Sequence, residues 1–189
     1  EHQANFIEIL RGGVGLTVMH HALAGFPEWT AYEDIIGASY VLEEQTRGAK
    51  HYPRPTWKEG VDMNIKVEDR KHPVCMGITD FRIHDESYKS WIYHDGNHLL
   101  LSTENDLSNH QIAWTRKAYG THIFCIQLGH DEHAYQNASF RKILEQGIEW
   151  TDQKNGLIDV WDAEKVAARG PILIAHRGGV IGPDIPECS

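Results

Sequence analysis

The sequence predicts an open α/β sheet over about its first 150 residues, and three observations support this prediction. Segments with helical periodicity alternate with short apolar segments that are typical of buried strands. The chain has 189 residues, of which 41% are hydrophobic, with six Trp and seven Tyr, so it can bury a sizeable core. A polar, turn-prone stretch at 152–156 then marks a domain edge.

The first predicted elements are a helix, a buried strand and a second helix. Residues 5–11 have the pattern of the end of a helix, which a Gly-Gly pair then stops. The run 14–19 is almost wholly apolar, as expected for a strand covered on both faces of a parallel sheet. Thr30 and Glu33 have the spacing of a capping box, so we expect a short helix that begins there and ends at Gly37.

The next predicted elements are a loop, several strands and a longer helix. The polar stretch around Pro53 and Pro55 is predicted as a loop. Apolar and polar residues alternate over 61–67, which predicts a half-exposed strand. Three further apolar segments are predicted strands: 99–101, 112–115 and 122–128. Asn137 is a good N-cap for a helix that ends near Trp150.

The composition excludes several classes of protein. The formal charge is -9 with the 13 histidines neutral, and this acidic balance argues against binding to nucleic acid or to an anionic membrane surface. No apolar run approaches the ~20 residues that a membrane-spanning helix needs. The three cysteines form no C-x-x-C pair, so we expect neither a disulfide framework nor a thiolate zinc site.

Two of the predicted strands end in histidine. His20 and His21 follow the strand at 14–19, and His130 follows the strand at 122–128 after Gly129. In open α/β sheets, ligands bind beyond the carboxyl ends of the strands. If the His20-His21 pair keeps strand geometry, its two side chains point to opposite faces and only one reaches a shared crevice.

A third polar cluster, Asp85-Glu86-x-Tyr88, follows a predicted strand at 81–83. Histidine with carboxylate is suited to proton transfer at neutral pH and also binds divalent metals. The functional interpretation joins these clusters in one pocket: His20 or His21, Asp85 or Glu86, and His130. The alternative is that each histidine caps its own strand and hydrogen-bonds to loop backbone.

An ordered set of motifs runs through residues 4–151. It comprises Gly13-x-Gly15-Leu16-x-x-x-His20-His21, Trp29-x-x-Tyr32, His72-Pro73-x-x-x-Gly77, Asp85-Glu86-x-Tyr88, Ala113-Trp114 and Leu128-Gly129-His130. This set resembles the ThuA-like (trehalose utilisation) family. The resemblance implies a flavodoxin-like open sheet, related to class I glutamine amidotransferases, with helices on both faces and its amino-terminal part missing. It also implies a role in the catabolism of trehalose or related disaccharides, including 3-keto forms.

The chemistry of glutamine amidotransferases is not expected here. It needs a cysteine nucleophile at the strand-to-helix elbow, where this chain has Met19 followed by histidines, and Cys125 lies inside an apolar strand. We expect instead a sugar-modifying hydrolase or lyase whose catalytic residues are His20, His21, Asp85, Glu86 and His130. Trp29 and Tyr88 are expected as supports or sugar-stacking surfaces. The divalent metal ion that such a site can take is expected at His20, Glu86 and His130.

The tail resembles the opening of glycerophosphodiester phosphodiesterases, which begin a TIM barrel with a strand, an H-R-G motif and then P-E-N-[ST]. The matching segments are 172–179 and 186–189, with Cys188 where Asn is usual. This resemblance implies an acid/base role for His176, a phosphate contact for Arg177 and metal ligation by Glu187. The piece lacks the other barrel strands, so we expect it to have no phosphodiesterase activity by itself.

The expected organisation therefore has three parts. They are a ThuA-like domain over 1–151, a linker with a short helix over 152–170, and the first strand of an incomplete TIM barrel over 171–189. Because the chain begins at Glu1 without Met, we expect a piece of a longer bacterial protein, either cytoplasmic or exported. The expected partner is a small-molecule sugar, and the sequence leaves the oligomeric state open.

Two alternatives to a sugar-modifying enzyme remain open from the sequence. One is a non-catalytic carbohydrate-binding or scaffold module, since no nucleophile of the usual kind is present. The other is a parent protein whose main activity is glycerophosphodiester hydrolysis, supplied by a part beyond this sequence.

Overall fold

In a computed structural model of the chain, residues 2–152 and 172–174 are described. The α-helices in these ranges are α1 (His2–Arg11), α2 (Thr30–Ile36), α3 (Glu132–Gln136) and α4 (Ala138–Asp152). Short 3-10 helices cover His20–Ala24 and Pro73–Cys75. Within the described ranges, no helix is long and apolar enough to cross a membrane.

The strands form one large sheet and two small ones. They are β1 (Leu16–Met19), β2 (Ala38–Ser39), β3 (Gln45–Arg47), β4 (Lys50–Tyr52), β5 (Thr56–Val67), β6 (Phe81–Lys89), β7 (Ile92–Tyr93), β8 (His98–Ser102), β9 (Gln111–Ala118), β10 (Thr121–Ile126) and β11 (Ile172–Ile174). The large sheet has the order β11-β1-β10-β9-β8-β5-β6, and the pairs β2-β7 and β3-β4 stand apart from it.

The large sheet is mixed, which corrects part of the expectation. Strand β1 pairs in parallel with both of its neighbours, β10 and β11. Every other adjacent pair in this sheet is antiparallel. The prediction of an open α/β sheet is confirmed, but a parallel arrangement occurs only around β1. The prediction of a loop around Pro53 was wrong in part, because the residues just before it form the β3-β4 hairpin.

Helices cover both faces of the sheet around β1 and β10, as predicted. Ile123 and Cys125 of β10 belong to a buried cluster that includes residues of α2. Phe124 and Ile126, which alternate with them, belong to a second buried cluster that includes Phe140 of α4. Since successive side chains of a strand point to opposite faces, the two clusters lie on opposite sides of the sheet. This double cover explains why both strands are almost wholly apolar.

The predicted caps of α4 and α2 are confirmed at some helix ends and wrong at another. Asn137 caps α4, because its Oδ1 accepts hydrogen bonds from the backbone N–H groups of Ser139 at 3.0 Å and Phe140 at 3.1 Å. Gly37 ends α2 in the left-handed region, with φ of 69°. The capping box was wrong: Trp29 is the N-cap residue of α2, and no side chain caps that end.

Strands β5 and β6 form a long antiparallel ribbon at one edge of the large sheet. The buried side chains on β5 are those at 61, 63, 65 and 67, as the alternation predicted. The ribbon joins β8 only at Lys66 and Val67. The ribbon also contacts α3, and the 3-10 helix Pro73–Cys75 between its two strands packs on α4, where Gln146 Nε2 donates a hydrogen bond to the carbonyl of Pro73 at 2.7 Å.

The predictions for the tail fall mainly outside the described residues. Strand β11 confirms the strand predicted at 171–175, and it pairs with β1 at the edge of the large sheet. The predicted linker helix, His176, Arg177 and Glu187 lie outside the described residues. The division into three parts therefore remains a prediction.

Candidate functional site

The first part of the site is the turn that follows β1. A 3-10 helix begins at His20, whose φ of 52° lies in the left-handed region. This turn ends the strand geometry, and the rings of His20 and His21 stack with centroids 4.7 Å apart. The strand geometry under which only one of them would reach a shared crevice is therefore absent, and both ring Nε2 atoms lie close to the same carboxylate.

The second part is the turn after β10, which presents His130. Gly129 has φ of 119°, a conformation that favours glycine. A Cβ at that position would lie only 3.1 Å from Met19 Sδ and from the ring of Phe140. The glycine therefore allows the sharp turn that was predicted from the sequence.

Asp85 holds this turn in place rather than facing the crevice. Its carboxylate accepts hydrogen bonds from the backbone N–H of Gly129 at 2.7 Å, of His130 at 3.0 Å and of Glu86 at 2.8 Å. It is 1% exposed, and this burial raises its pKa, which the three N–H donors partly oppose. Asp85 thus joins the β6 strand to the end of β10 as a positioning residue.

Glu86 and Tyr88 form the third part of the site, and both lie inside β6. The prediction that this cluster follows a strand at 81–83 was wrong, since β6 continues to Lys89. Because side chains two residues apart in a strand point to the same side, Glu86 and Tyr88 face the crevice together. Asp85, which directly precedes Glu86 in the strand, points to the other side, where it meets the Gly129 turn.

Four side chains converge on one oxygen, Glu86 Oε2. The Nε2 atoms of His20 and His21 lie 3.1 Å and 3.2 Å from it. His130 Nδ1 lies 3.4 Å away, and the hydroxyl of Tyr88 donates a hydrogen bond to it at 2.5 Å. Glu86 itself is only 3% exposed. The structure therefore brings together four of the five predicted catalytic residues, together with Tyr88.

The surroundings of His20 set its protonation. Its Nδ1 lies 2.9 Å from the carbonyl oxygen of Gln127, which can only accept, so Nδ1 carries the hydrogen and Nε2 presents a lone pair. Burial lowers the pKa of His20 to about 4. His20 is therefore neutral at pH 7, and its Nε2 can act as an acceptor or a metal ligand.

Tyr88 stays protonated over a wide pH range. Burial and the neighbouring carboxylate of Glu86 raise the pKa of Tyr88 well above its usual value. Its hydroxyl also lies 3.2 Å from His20 Nε2. Tyr88 is thus a fixed hydrogen-bond donor at the floor of the site.

These side chains line a cavity of about 720 Å³. Its lining includes four residues that the sequence analysis missed: Tyr40, Trp57, Glu59 and Tyr135. Trp57 is 58% exposed, and an exposed aromatic in a polar stretch that contains two prolines was the available signal. The structure does not bring Trp29 to this cavity. Trp29 packs against Phe6, Phe26 and Tyr32 instead.

The same site contains a set of atoms that could hold a metal ion. The ligating atoms of His20, Glu86 and His130 all lie within 4.8 Å of one another. A thiol offers no comparable chemistry in the described ranges. Cys75 and Cys125 are buried, and this burial raises the pKa of Cys75 to about 12 and raises that of Cys125 as well.

The chain is similar to one known family and to several solved structures. The family described as ThuA, trehalose utilisation, matches residues 1–151. A ThuA-like protein from Parabacteroides merdae has a TM-score of 0.64 at 20% identity, over 84% of this chain and 67% of that one. A ThuA-like protein from Bacteroides uniformis has a TM-score of 0.58 at 16% identity, over 80% and 64%. A cytoplasmic protein from Salmonella typhimurium has a TM-score of 0.54 at 9% identity, over 77% and 58%.

Because the sequence identities to these three structures are 20% or lower, the similarity supports a shared fold and nothing more specific. The chain spans between 58% and 67% of the length of those three structures. No curated protein matches it.

Proposed function

We propose, because the chain belongs to the ThuA (trehalose utilisation) family, that this domain acts in the catabolism of trehalose or a related disaccharide. The reaction proposed is proton transfer on the sugar at the cluster around Glu86. A 3-keto disaccharide is the proposed substrate class, because the hydrogen next to a carbonyl is the one that a side-chain base removes most easily.

A single observation carries this proposal: three histidines and a tyrosine converge on one buried carboxylate oxygen at the floor of a cavity. The side chains of His21 and His130 are 30% and 31% exposed, whereas Glu86 is 4% exposed. The two histidines can therefore meet a sugar in the cavity, while the carboxylate between them stabilises whichever one is protonated.

The roles follow from these positions. His21 and His130 lie on two sides of Glu86 Oε2, with ring centroids 6.5 Å apart. One can remove a proton from the sugar while the other returns a proton elsewhere on the same molecule. The exposed ring of Trp57 lies at the edge of the cavity and supplies an aromatic surface for the sugar ring.

The test is turnover of 3-keto disaccharides by the 189-residue chain and by its His130→Ala variant. Loss of a proton-transfer group lowers the rate by about 10²–10⁴, so we expect a loss of kcat in that range. His133→Ala is the matched control, since His133 is exposed, pairs with Asp131 two residues before it and does not line the cavity. Equal turnover by the parent chain and by His130→Ala would contradict the proposal.

A second candidate is a non-catalytic module that binds carbohydrate for a neighbouring domain. The aromatic side chains of Tyr40, Trp57 and Tyr135 at the cavity favour it, because aromatic rings provide apolar contact area for a sugar. Calorimetric titration with disaccharides separates the two candidates. Binding without any conversion supports the module, and conversion supports the enzyme.

Fusion to a phosphodiesterase domain is a separate proposal, which is supported only by the motifs around His176 and Glu187. It predicts that the 189-residue chain does not hydrolyse glycerophosphodiesters, whereas a longer parent protein does. An assay of both proteins with glycerophosphocholine tests it. If neither protein hydrolyses this substrate, the proposal is contradicted.

A further inference from the structure

We propose that His20, Glu86 and His130 form a binding site for one divalent first-row transition-metal ion of the Zn²⁺ type. This inference deepens the proposed function and rests on it for the role of the ion, since with the ion bound His130 is a ligand and His21 is the histidine left for proton transfer. The binding of the ion, however, can be measured without any sugar. The inference is drawn from distances, from the kinds of donor atom and from the hydrogen bonds that orient them.

The three ligating atoms form a triangle of the size that a metal ion requires. His20 Nε2 lies 3.1 Å from Glu86 Oε2 and 3.1 Å from His130 Nδ1, and the third side is 3.4 Å. With metal–ligand distances of about 2.1 Å, adjacent ligands lie about 3.0 Å apart at right angles and about 3.4 Å apart in a tetrahedron. The spacing of the three atoms therefore matches that of ligands around one such ion.

One side of the triangle is difficult to explain without a cation. The carbonyl of Gln127 holds the Nδ1 hydrogen of His20, so Nε2 of the neutral ring presents a lone pair. Glu86 Oε2 already accepts a hydrogen bond from Tyr88 and presents lone pairs as well. Two groups with lone pairs thus face each other across 3.1 Å, a contact that either a metal ion or a shared proton between them would stabilise.

The donor set indicates which ions suit the site. Two imidazole nitrogens and one carboxylate oxygen favour Zn²⁺, Fe²⁺ and similar ions, whereas Ca²⁺ and Mg²⁺ prefer oxygen ligands. The hydrogen bonds that His20 donates to the carbonyl of Gln127 and that Glu86 accepts from Tyr88 are the outer contacts that commonly orient metal ligands.

The remaining coordination positions face the cavity of about 720 Å³. Catalytic metal sites keep such an open side for water or substrate. A bound ion would polarise the carbonyl of a keto sugar there and make its neighbouring hydrogen easier to remove. The ligand class that this predicts is a sugar with a carbonyl oxygen beside a hydroxyl.

The experiment is titration of the chelator-treated 189-residue chain with Zn²⁺ by calorimetry, and with Co²⁺ by visible absorption. We expect one ion per chain and a Co²⁺ spectrum of a four- or five-coordinate site. His130→Ala and Glu86→Gln should each weaken Zn²⁺ binding more than about 100-fold, and Tyr88→Phe should weaken it about 10-fold, since outer contacts are worth 10- to 100-fold.

His133→Ala is the control for adventitious binding, and circular dichroism of each variant verifies folding. The inference is overturned if the parent chain binds no Zn²⁺ or if binding survives both His130→Ala and Glu86→Gln. Sugar turnover in the presence of chelator separates this result from the proposed function. Undiminished turnover without Zn²⁺ binding contradicts the proposed metal site and supports the proposed function. Zn²⁺ binding without turnover supports the metal site and contradicts the proposed function.

Discussion

Strands β1 and β10 are covered on both faces, whereas the β5-β6 ribbon keeps an exposed side except at 85–88, where both sides of β6 are buried. The two regions supply the site in different ways. The β1-β10 region presents His20, His21 and His130 from turns beyond its strand ends. The ribbon presents Glu86 and Tyr88 from the middle of a strand.

This difference teaches that the site is assembled from two parts. One is the β1-β10 region, called the scaffold below, and the other is the β5-β6 ribbon attached to it. The histidines belong to the part of the sheet with the most complete core. The carboxylate that they share belongs to a ribbon that joins the sheet at β8 and is fastened by the 3-10 helix at Pro73–Cys75 and by Asp85. The geometry of the site therefore depends on how well the ribbon is held against the scaffold.

The largest expected effect is that of Glu86→Gln, which removes the charge where the two regions meet. His21 and His130 would lose the carboxylate that stabilises their protonated forms, so we expect kcat/KM for a keto disaccharide to fall about 10²–10⁴-fold. Steady-state kinetics measures this. Glu104→Gln, at a side chain that is 88% exposed, is the matched control, and a similar loss in both variants would refute the shared role of Glu86.

Asp85→Asn tests the connection between the ribbon and the scaffold. An amide cannot accept all three backbone hydrogen bonds that the carboxylate accepts, and each buried group left without a partner costs about 1–3 kcal/mol. We expect a loss of about 2 kcal/mol in the free energy of unfolding, measured with urea, together with slower turnover. Asp62→Asn on the exposed side of the same ribbon removes only solvent-exposed ion pairs with Arg82 and His84 and should change stability much less.

Part of this arrangement could be predicted from the sequence because it depends on local patterns. The apolar runs before His20 and His130, and the cap at Asn137, are signals of this kind. The shared position of His20 and His21 was not predictable, because it depends on a positive φ that the surrounding fold imposes on a non-glycine residue.

The contribution of the ribbon was harder to predict for a similar reason. Its curl brings Trp57 to the cavity, and only tertiary contacts determine that curl. Trp29 has the same side-chain chemistry, but it packs into an aromatic cluster at the start of α2. Residue type alone therefore could not decide which tryptophan faces a ligand.

A comparison of these two tryptophans gives the next prediction. Trp57→Ala should weaken disaccharide binding about 10-fold with little change in stability, since an aromatic contact is worth about 0.5–1.5 kcal/mol. Trp29→Ala should lower stability by about 2 kcal/mol, because a half-buried aromatic is removed, and leave sugar affinity unchanged. Calorimetric titration and thermal unfolding measure the two effects, and the opposite outcome would reassign the sugar surface to Trp29.

The smallest effect is expected at the far end of the ribbon, where His72 caps the 3-10 helix. His72 Nδ1 accepts a hydrogen bond from the backbone N–H of Val74 at 3.2 Å. Burial and the neighbouring His98 lower the pKa of His72, and His122 acts in the same direction, while Asp69 opposes them. Its neutral form is therefore favoured in the folded protein.

The sign of the pH dependence follows from this lowered pKa. The unfolded chain binds a proton at His72 near pH 6.5, whereas the folded chain binds it only at lower pH. The stability contributed by neutral His72 is present above pH 6.5 and is lost as pH falls. The His72→Asn variant keeps a side-chain acceptor for the Val74 N–H but has no titrating group there. Between pH 7.5 and 5.5, the variant should therefore lose less stability than the parent chain, by up to about 1 kcal/mol.

His133 provides a control of opposite sign on the scaffold side. The hydrogen bond to Asp131 raises the pKa of His133, so its contribution is present below pH 6.5 and is lost as pH rises. His133→Asn should therefore increase the loss of stability on acidification, whereas His72→Asn should reduce it. Urea unfolding at the two pH values distinguishes them, and a shift of the same sign in both variants would show that His72 does not secure the end of the ribbon.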